Sequence, residues 1–401
     1  MNVLQNQKYD FKRIQEAVVL FAVACLTISY FGGYYLIITT IGHHSRLLYE
    51  MAVVLLFLKV VTTRYSKKEF TVVAVLLLLV FGNYKVSGNT RALYNFLTLC
   101  ALKNVDLKKV FKVSLASIVF IVVLIGGLAL AGVTGTLSVT ENFGRADITS
   151  QVSEVETRYY MGYIHPNTWA QAMFAMMTLL VAVFYEKLDW KGILLLAILN
   201  FAVYRLAISR TCFIAGIAMI ILLIWAKYGE KLFEFIVIRL GIVAGVSALW
   251  AIIFTVKVDV ENNLTWTIID WRLFTGRIKQ AQTYYQTFGL SLLGKNIPDQ
   301  LDNGYILDMG YMRMLLENGV VIFALMYAAT IVLLIYAFKK KRNDIVIIII
   351  AICLYGIYEN QAIAQVPANL SMYYLATLVF QKDSGKKGEN YVGCKNYDEF
   401  R

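Results

Sequence analysis

Proline is scarce, three residues in 401, which excludes a proline-rich linker or a disordered tail of any size. Charge is scarce too. Charged residues make up 16% of the chain and hydrophobic ones 59%, against about 25% and 45–50% in soluble domains. That balance excludes the two or three soluble domains that this length would otherwise imply. The three histidines, His43, His44 and His165, are too few and too scattered for a metal cluster. The five cysteines (Cys25, Cys100, Cys212, Cys353 and Cys394) form no CxxC and imply no disulfide framework. No GxxxxGK[ST], no GxGxxG after a strand, no HExxH and no Asp-x-Asp occurs. Nucleotide-driven pumping, zinc hydrolysis and metal-dependent transfer from a cytoplasmic sugar nucleotide therefore lack their minimum residues. No cofactor and no metal is implied. The net charge of +12 does not call for nucleic acid, because membrane proteins keep Lys and Arg in their cytoplasmic loops.

What the chain has instead is apolar runs of spanning length. They predict an all-α polytopic membrane protein with spans near 17–38, 46–62, 69–83, 88–102, 114–133, 166–185, 192–209, 211–227, 235–255, 318–338, 344–358 and 364–381. The first is expected to be a retained span, since a cleavable leader has a shorter apolar core. Arg91 and Asn95 interrupt the fourth. Basic loops set the parity. Arg64, Lys67 and Lys68 fall in one loop, and Lys103, Lys108, Lys109 and Lys112 in the next but one. Lys187 with Lys191, Lys227 with Lys231, and Lys339 to Arg342 continue the alternation. About twelve spans with both termini cytoplasmic follow from the positive-inside rule. The organisation expected is nine spans over 1–255, a large outer loop over 256–317, three further spans over 318–381 and a cytoplasmic tail over 382–401.

Two long loops then face outward, about 134–164 and 256–317. In the second, Trp271, Phe274, Ile278, Ala281, Tyr285 and Phe288 form a stripe expected of one amphipathic helix, either lying on the membrane surface or closing an outer cavity. Arginine stands out on this face, where basic residues are ordinarily few. Arg205 and Arg210 flank a tight outer turn, which sets Arg205 below the surface. Arg158 precedes His165-Pro166-Asn167 at a helix start, and Arg277 follows Thr275-Gly276. Guanidinium suits bidentate binding of phosphate oxygens, and a lipid-linked pyrophosphate would present them at headgroup depth.

The run Arg158-Tyr-Tyr-Met-Gly-Tyr-Ile-His165-Pro166-Asn167 resembles the Arg…Gly-aromatic-x-His-Pro-Asn element of Wzy-type O-antigen and capsule repeat-unit polymerases. Ser209-Arg210-Thr211 is similar to their Ser-Arg-[Ser/Thr] turn, and Thr275-Gly276-Arg277 with Leu293-Gly294 to their loop stretch. Asp302-Asn303-Gly304-Tyr305 and Leu316-Glu317-Asn318-Gly319-Val320 resemble the segment leading back into the membrane. Related O-antigen ligases carry His-Asn there, so Asp302 is a departure that favours polymerase over ligase. The Arg-x10-Gly spacing of some polymerases is not met from Arg158 or Arg277.

The resemblance implies glycosyl transfer between undecaprenyl-pyrophosphate-linked oligosaccharides on the outer face of a bacterial cytoplasmic membrane, without nucleotide or cofactor. A flippase and a chain-length regulator are the partners it implies. Arg158, Arg205, Arg210, Arg277, Asn167, Asn303 and Tyr305 are the candidate ligands of pyrophosphate and glycan. Asp302, His165 and Glu359 are the candidate bases. Two other readings stay open: a ligase moving finished glycan to another acceptor, and a flippase or transporter of the same lipid.

Overall fold

The computed structural model describes residues 2–33, 40–133, 135–142, 155–360, 363 and 366–380. The expected tail at 382–401, with Cys394, and the middle of the first outer loop lie outside them. Helices α1 (Asn2–Gly33), α2 (Thr40–Thr62), α3 (Lys67–Ser87), α4 (Arg91–Ala101) and α5 (Leu107–Leu130) come first. The first loop then supplies an antiparallel pair, β1 (Ser138–Asn142) and β2 (Val155–Tyr159), with Val139 opposite Arg158. It is a small exception to an all-α chain. Next come α6 (Pro166–Phe184), α7 (Trp190–Ala207), α8 (Arg210–Tyr228) and α9 (Glu230–Lys257). The second loop carries α10 (Leu264–Ile269) and α11 (Arg277–Phe288), and the chain ends with α12 (Gly310–Lys339), α13 (Asn343–Tyr358) and α14 (Ser371–Phe380).

Among the described residues seven helices are long and apolar enough to cross a membrane: α1, α3, α5, α6, α7, α8 and α12. Their outer faces are greasy. Phe70, Val75 and Leu78 of α3, Phe120 and Val123 of α5, and Leu195, Ile198 and Phe201 of α7 are all exposed. A soluble monomer does not leave such continuous apolar faces in water; acyl chains are the solvent that suits them. Three of the expected spans are short helices. α4 has 11 residues, α13 has 16 and α14 has 10. At 1.5 Å per residue they rise roughly 16, 24 and 15 Å, less than a hydrocarbon core of about 30 Å. α13 is buried on every side from Asp344 to Cys353 and packs on α6, α8, α9, α12 and α14. A helix apolar all round is a core helix as readily as a lipid-facing one. Here it is the centre of the bundle.

Side-chain contacts sort the chain into two ends. Lys109 pairs with Glu16 at 2.8 Å, and Lys103 reaches Glu69 at 2.6 Å and the Arg64 carbonyl at 2.8 Å. Lys227 sits 4.2 Å from the Tyr185 ring, and Lys341 3.9 Å from Glu234. Phe111 on Tyr374, centroids 4.9 Å apart, joins α5 to α14 near this basic end. At the other end Arg91 meets Glu317 at 2.8 Å and Thr211 meets Glu359 at 3.2 Å. α3 runs between the two ends, from a capping box at Ser66 and Glu69 to a left-handed Gly88. α4 brings the chain back, from Arg91 to Lys103, in 11 helical residues. The two residues that break its pattern are both satisfied: Arg91 by Glu317, and Asn95 Oδ1 by the Val366 N–H at 3.1 Å.

Candidate functional site

α13 ends at Tyr358, which delivers Glu359 to the end opposite the basic loops. Three segments converge on this carboxylate. Arg277 Nη2 lies 2.9 Å from Glu359 Oε1, and the Thr211 hydroxyl donates to the same oxygen at 3.2 Å. Asp308 Oδ2 is 3.3 Å from Arg277 Nη2 on its other side. Burial pushes the Glu359 pKa up, with Asp308 adding to it and the Arg277 guanidinium and the Thr211 hydroxyl holding it back.

Local sequence explains each placement. Thr275 and Gly276 are both left-handed, φ 54° and 78°, and they break the expected single amphipathic helix after Phe274. The reason is visible in the capping. Gly276 brings no side chain to cap α11, so the buried Asp270 accepts from the N–H groups of Ile278 at 2.9 Å and Lys279 at 3.1 Å. The buried stripe is therefore Phe274, Ile278, Ala281 and Tyr284, while Trp271 stays exposed and Tyr285 and Phe288 are only half-buried. α11 packs on α9 and α12 with Arg277 at its first position, turned into the bundle and 9% exposed. Thr211 arrives because Ile208, φ 53°, closes α7 and lets α8 begin at Arg210.

His165 caps α6, its Nδ1 accepting from the Asn167 N–H at 3.2 Å, with Pro166 at the first helical position. Its ring meets that of Tyr160 edge-on, centroids 6.2 Å apart. Desolvation by the surrounding protein lowers the His165 pKa although the side chain still reaches solvent; Asp308 opposes this, and the Arg158 and Arg277 cations add to the lowering. Arg158, buried on β2, lies 2.7 Å from Glu156. His165 is thus where the fields of Arg158, Arg277 and Asp308 meet.

Other nominated residues sit elsewhere. Arg210, the first residue of α8, is exposed, and the Ser-Arg-Thr turn sends Thr211 to Glu359 instead. Arg205 lies in the last turn of α7 with its side chain exposed and makes no contact with the Glu359 cluster. Asp302 and Asn303 occupy an exposed turn, closed by Gly304 N–H to Leu301 O at 2.8 Å and by Asn303 Oδ1 accepting from the Tyr305 N–H at 3.0 Å. Asp-Asn-Gly is turn chemistry, and turn geometry is what it adopts. Tyr305 contributes its carbonyl to the Tyr284 hydroxyl at 3.0 Å. The acid from this segment that reaches Arg277 is Asp308, which the sequence reading missed along with Thr211. An acid two residues before a spanning helix was the available signal.

Two further motif segments lock together. The 291–295 stretch pairs with the kink of α12: Val320 N–H to Ser291 O at 2.9 Å, and Lys295 N–H to Leu316 O at 3.0 Å. Asn83 ties both strands, donating to Leu293 O at 2.7 Å and Glu317 O at 3.0 Å. A Cβ on Gly294 would stand 2.0 Å from Glu317 O, and one on Gly319 2.3 Å from Gly294 N.

No protein-family model matches the chain, and neither does any curated protein or solved structure.

Proposed function

We propose that the chain is a Wzy-type polymerase, extending a glycan carried on undecaprenyl pyrophosphate at the outer face of a bacterial cytoplasmic membrane. The observation that carries the reading is convergence. Three segments resembling polymerase motifs meet at one end of the bundle: 209–211 and 275–277 bring Thr211 and Arg277 to Glu359, and 158–167 brings His165 into the fields of Arg277 and Asp308. In this reading the chain crosses about twelve times, the short helices included, and the basic end is cytoplasmic.

The donor glycan leaves its pyrophosphate and joins a sugar hydroxyl of the incoming repeat unit. Pyrophosphate needs a guanidinium, and Arg277 is held by two carboxylates. Asp308 is the one it displaces, because its contact is the longer, 3.3 Å against 2.9 Å, and its side chain the more exposed, 35% against 14%. The exchange stabilises the leaving group and frees the Asp308 side chain to serve as the base for the acceptor proton. Glu359 keeps Arg277 in place. A flippase and a chain-length regulator are the partners this reaction calls for.

The test is reconstitution in liposomes with a purified lipid-linked repeat unit and no nucleotide. A ladder of products is expected. Arg277→Lys, which loses the parallel pair of donors, should lower turnover by about 2–4 kcal/mol in barrier, as for one oxyanion donor. Unextended substrate with the intact protein overturns the polymerase reading; normal turnover of Arg277→Lys removes Arg277 from the leaving-group site.

A further inference from the structure

A second polar feature opens at the same end of the bundle, and the proposed reaction does not account for it. It is a cavity of about 480 Å³ between α2, the α3–α4 turn, the 295–299 strap and the first turns of α12. That volume falls in the range of about 300–1,000 Å³ usual for small-molecule sites. Its wall is charged but internally matched. Glu317 takes Arg91 at 2.8 Å, Arg313 at 2.6 Å and the Asn89 amide at 2.9 Å. Arg313 also holds Asp299, Arg46 pairs with Glu50 at 2.9 Å, and the Lys295 ammonium donates to the Phe288 carbonyl. Four cations therefore face three carboxylates and a carbonyl.

This pairing decides the class of ligand. An anion at Arg91 or Arg313 would compete with Glu317, which is 6% exposed and lacks the freedom to turn away that the 35% exposed Asp308 has at Arg277. A buried pair such as Arg313 with Glu317 is costly to break. A polyhydroxylated neutral ligand has no such conflict, because each hydroxyl both donates and accepts. Asn296 offers an exposed amide, and Glu50 and Asp299 offer exposed carboxylates. Tyr49 and Tyr94, edge to face at 4.8 Å, add a carbon-rich wall. The site is also rigid. Gly294 against Gly319 and the double hold of Asn83 fix the strap, which reduces the ordering cost of binding. The strap then runs from Asp299 in this cleft to Asp308 beside Arg277.

We infer that this cleft binds an uncharged stretch of glycan, holding sugar residues away from the pyrophosphate while the Arg277 cluster acts. The inference deepens the polymerase reading and rests on it for which glycan is bound. Its test uses the full chain in lipid nanodiscs. The probe is the free oligosaccharide released by mild acid from the lipid-linked pool of the producing cells, followed by saturation-transfer NMR. Binding is expected, with little change between low and high salt, since the ligand is neutral. Glu50→Ala with Asn296→Ala, both on the exposed rim, should raise Kd at least tenfold. Glu50→Gln alone, isosteric and able to fold, should raise it less but measurably. Arg277→Lys should leave it within twofold. Absence of binding, equal binding by the rim variants, or displacement of the probe by inorganic pyrophosphate would each overturn the inference. The two readings fail separately: binding without chain extension in liposomes defeats the polymerase and keeps the cleft, whereas extension with normal binding by the rim variants does the reverse.

Discussion

His165 shows how one side chain holds a structural and a chemical role in competition. Its Nδ1 is an acceptor for the Asn167 N–H, so the cap needs the neutral ring. Desolvation and the neighbouring arginines lower its pKa from the ordinary value near 6.5. Between the lowered folded value and the unfolded one, the unfolded chain binds more protons. The cap's contribution is therefore complete above about pH 6.5 and is lost as pH falls through the folded value. We expect acid to weaken both stability and turnover in that window. His165→Asn keeps a capping acceptor that does not titrate, and should flatten this limb of the pH profile while preserving activity near neutrality. A variant inactive at every pH would instead make His165 the base. The Asn167 side chain, by contrast, takes no part in the cap, which uses its backbone.

At the scale of elements, the structure rests on short irregular joints between regular helices. The strap at 291–295 and the kink of α12 at Gly319 are one such joint. Gly294 has φ 91°, and an L side chain there is strained by about 1–3 kcal/mol before any clash. The clash is with backbone, Glu317 O at 2.0 Å, which cannot swing aside as a side chain can. Gly294→Ala should accordingly lower the unfolding temperature in detergent and perturb the cleft. Gly126→Ala and Gly127→Ala, helical positions with open space around them, are the controls and should match or slightly exceed wild type. Equal stability of all three variants would show that the strap does not clamp α12. α11 depends on a joint of the same kind, Asp270 reaching over the Thr275-Gly276 break. Hydrophobic spacing alone carries a stripe straight through that break, because periodicity records which face is apolar and not where the backbone reverses.

The whole molecule is polarised along the bundle. Lysines and arginines of alternate loops gather at one end with Glu16, Glu69 and Glu234 as partners. The motif segments gather at the other. If the basic end is cytoplasmic, reporters fused after Lys68, Lys112 and Lys341 should read inside, and those after Val139 and Asp299 outside. The informative pair is Lys68 and Lys112, because α4 alone, 11 residues long, separates an odd from an even number of crossings. Opposite sides for these two fusions would remove one crossing and contradict the pairing of Arg91 with Glu317, which lies at the same end as Arg277.

Composition determined the solvent of this protein. So few charges on so many apolar runs leave only a membrane environment, and the alternation of basic loops assigned the two ends without any coordinates. The expectation that the arginine-bearing segments share one face rests on the same alternation and on the count of spans. Tertiary structure decided the rest. It made α13 a buried centre rather than a lipid-facing span, because an all-apolar helix fits either solvent and only its neighbours choose. It put Thr211 and Asp308 beside Arg277 and Glu359 in place of Arg210 and Asp302, because a tight turn sends adjacent side chains in different directions, and sequence order does not say which points inward. The sequence singled out Arg91 and Glu317 separately, but nothing in it joined them with Arg313 in one cleft. The Arg91–Glu317 pair joins residues 226 positions apart, and only packing brings them within hydrogen-bond reach.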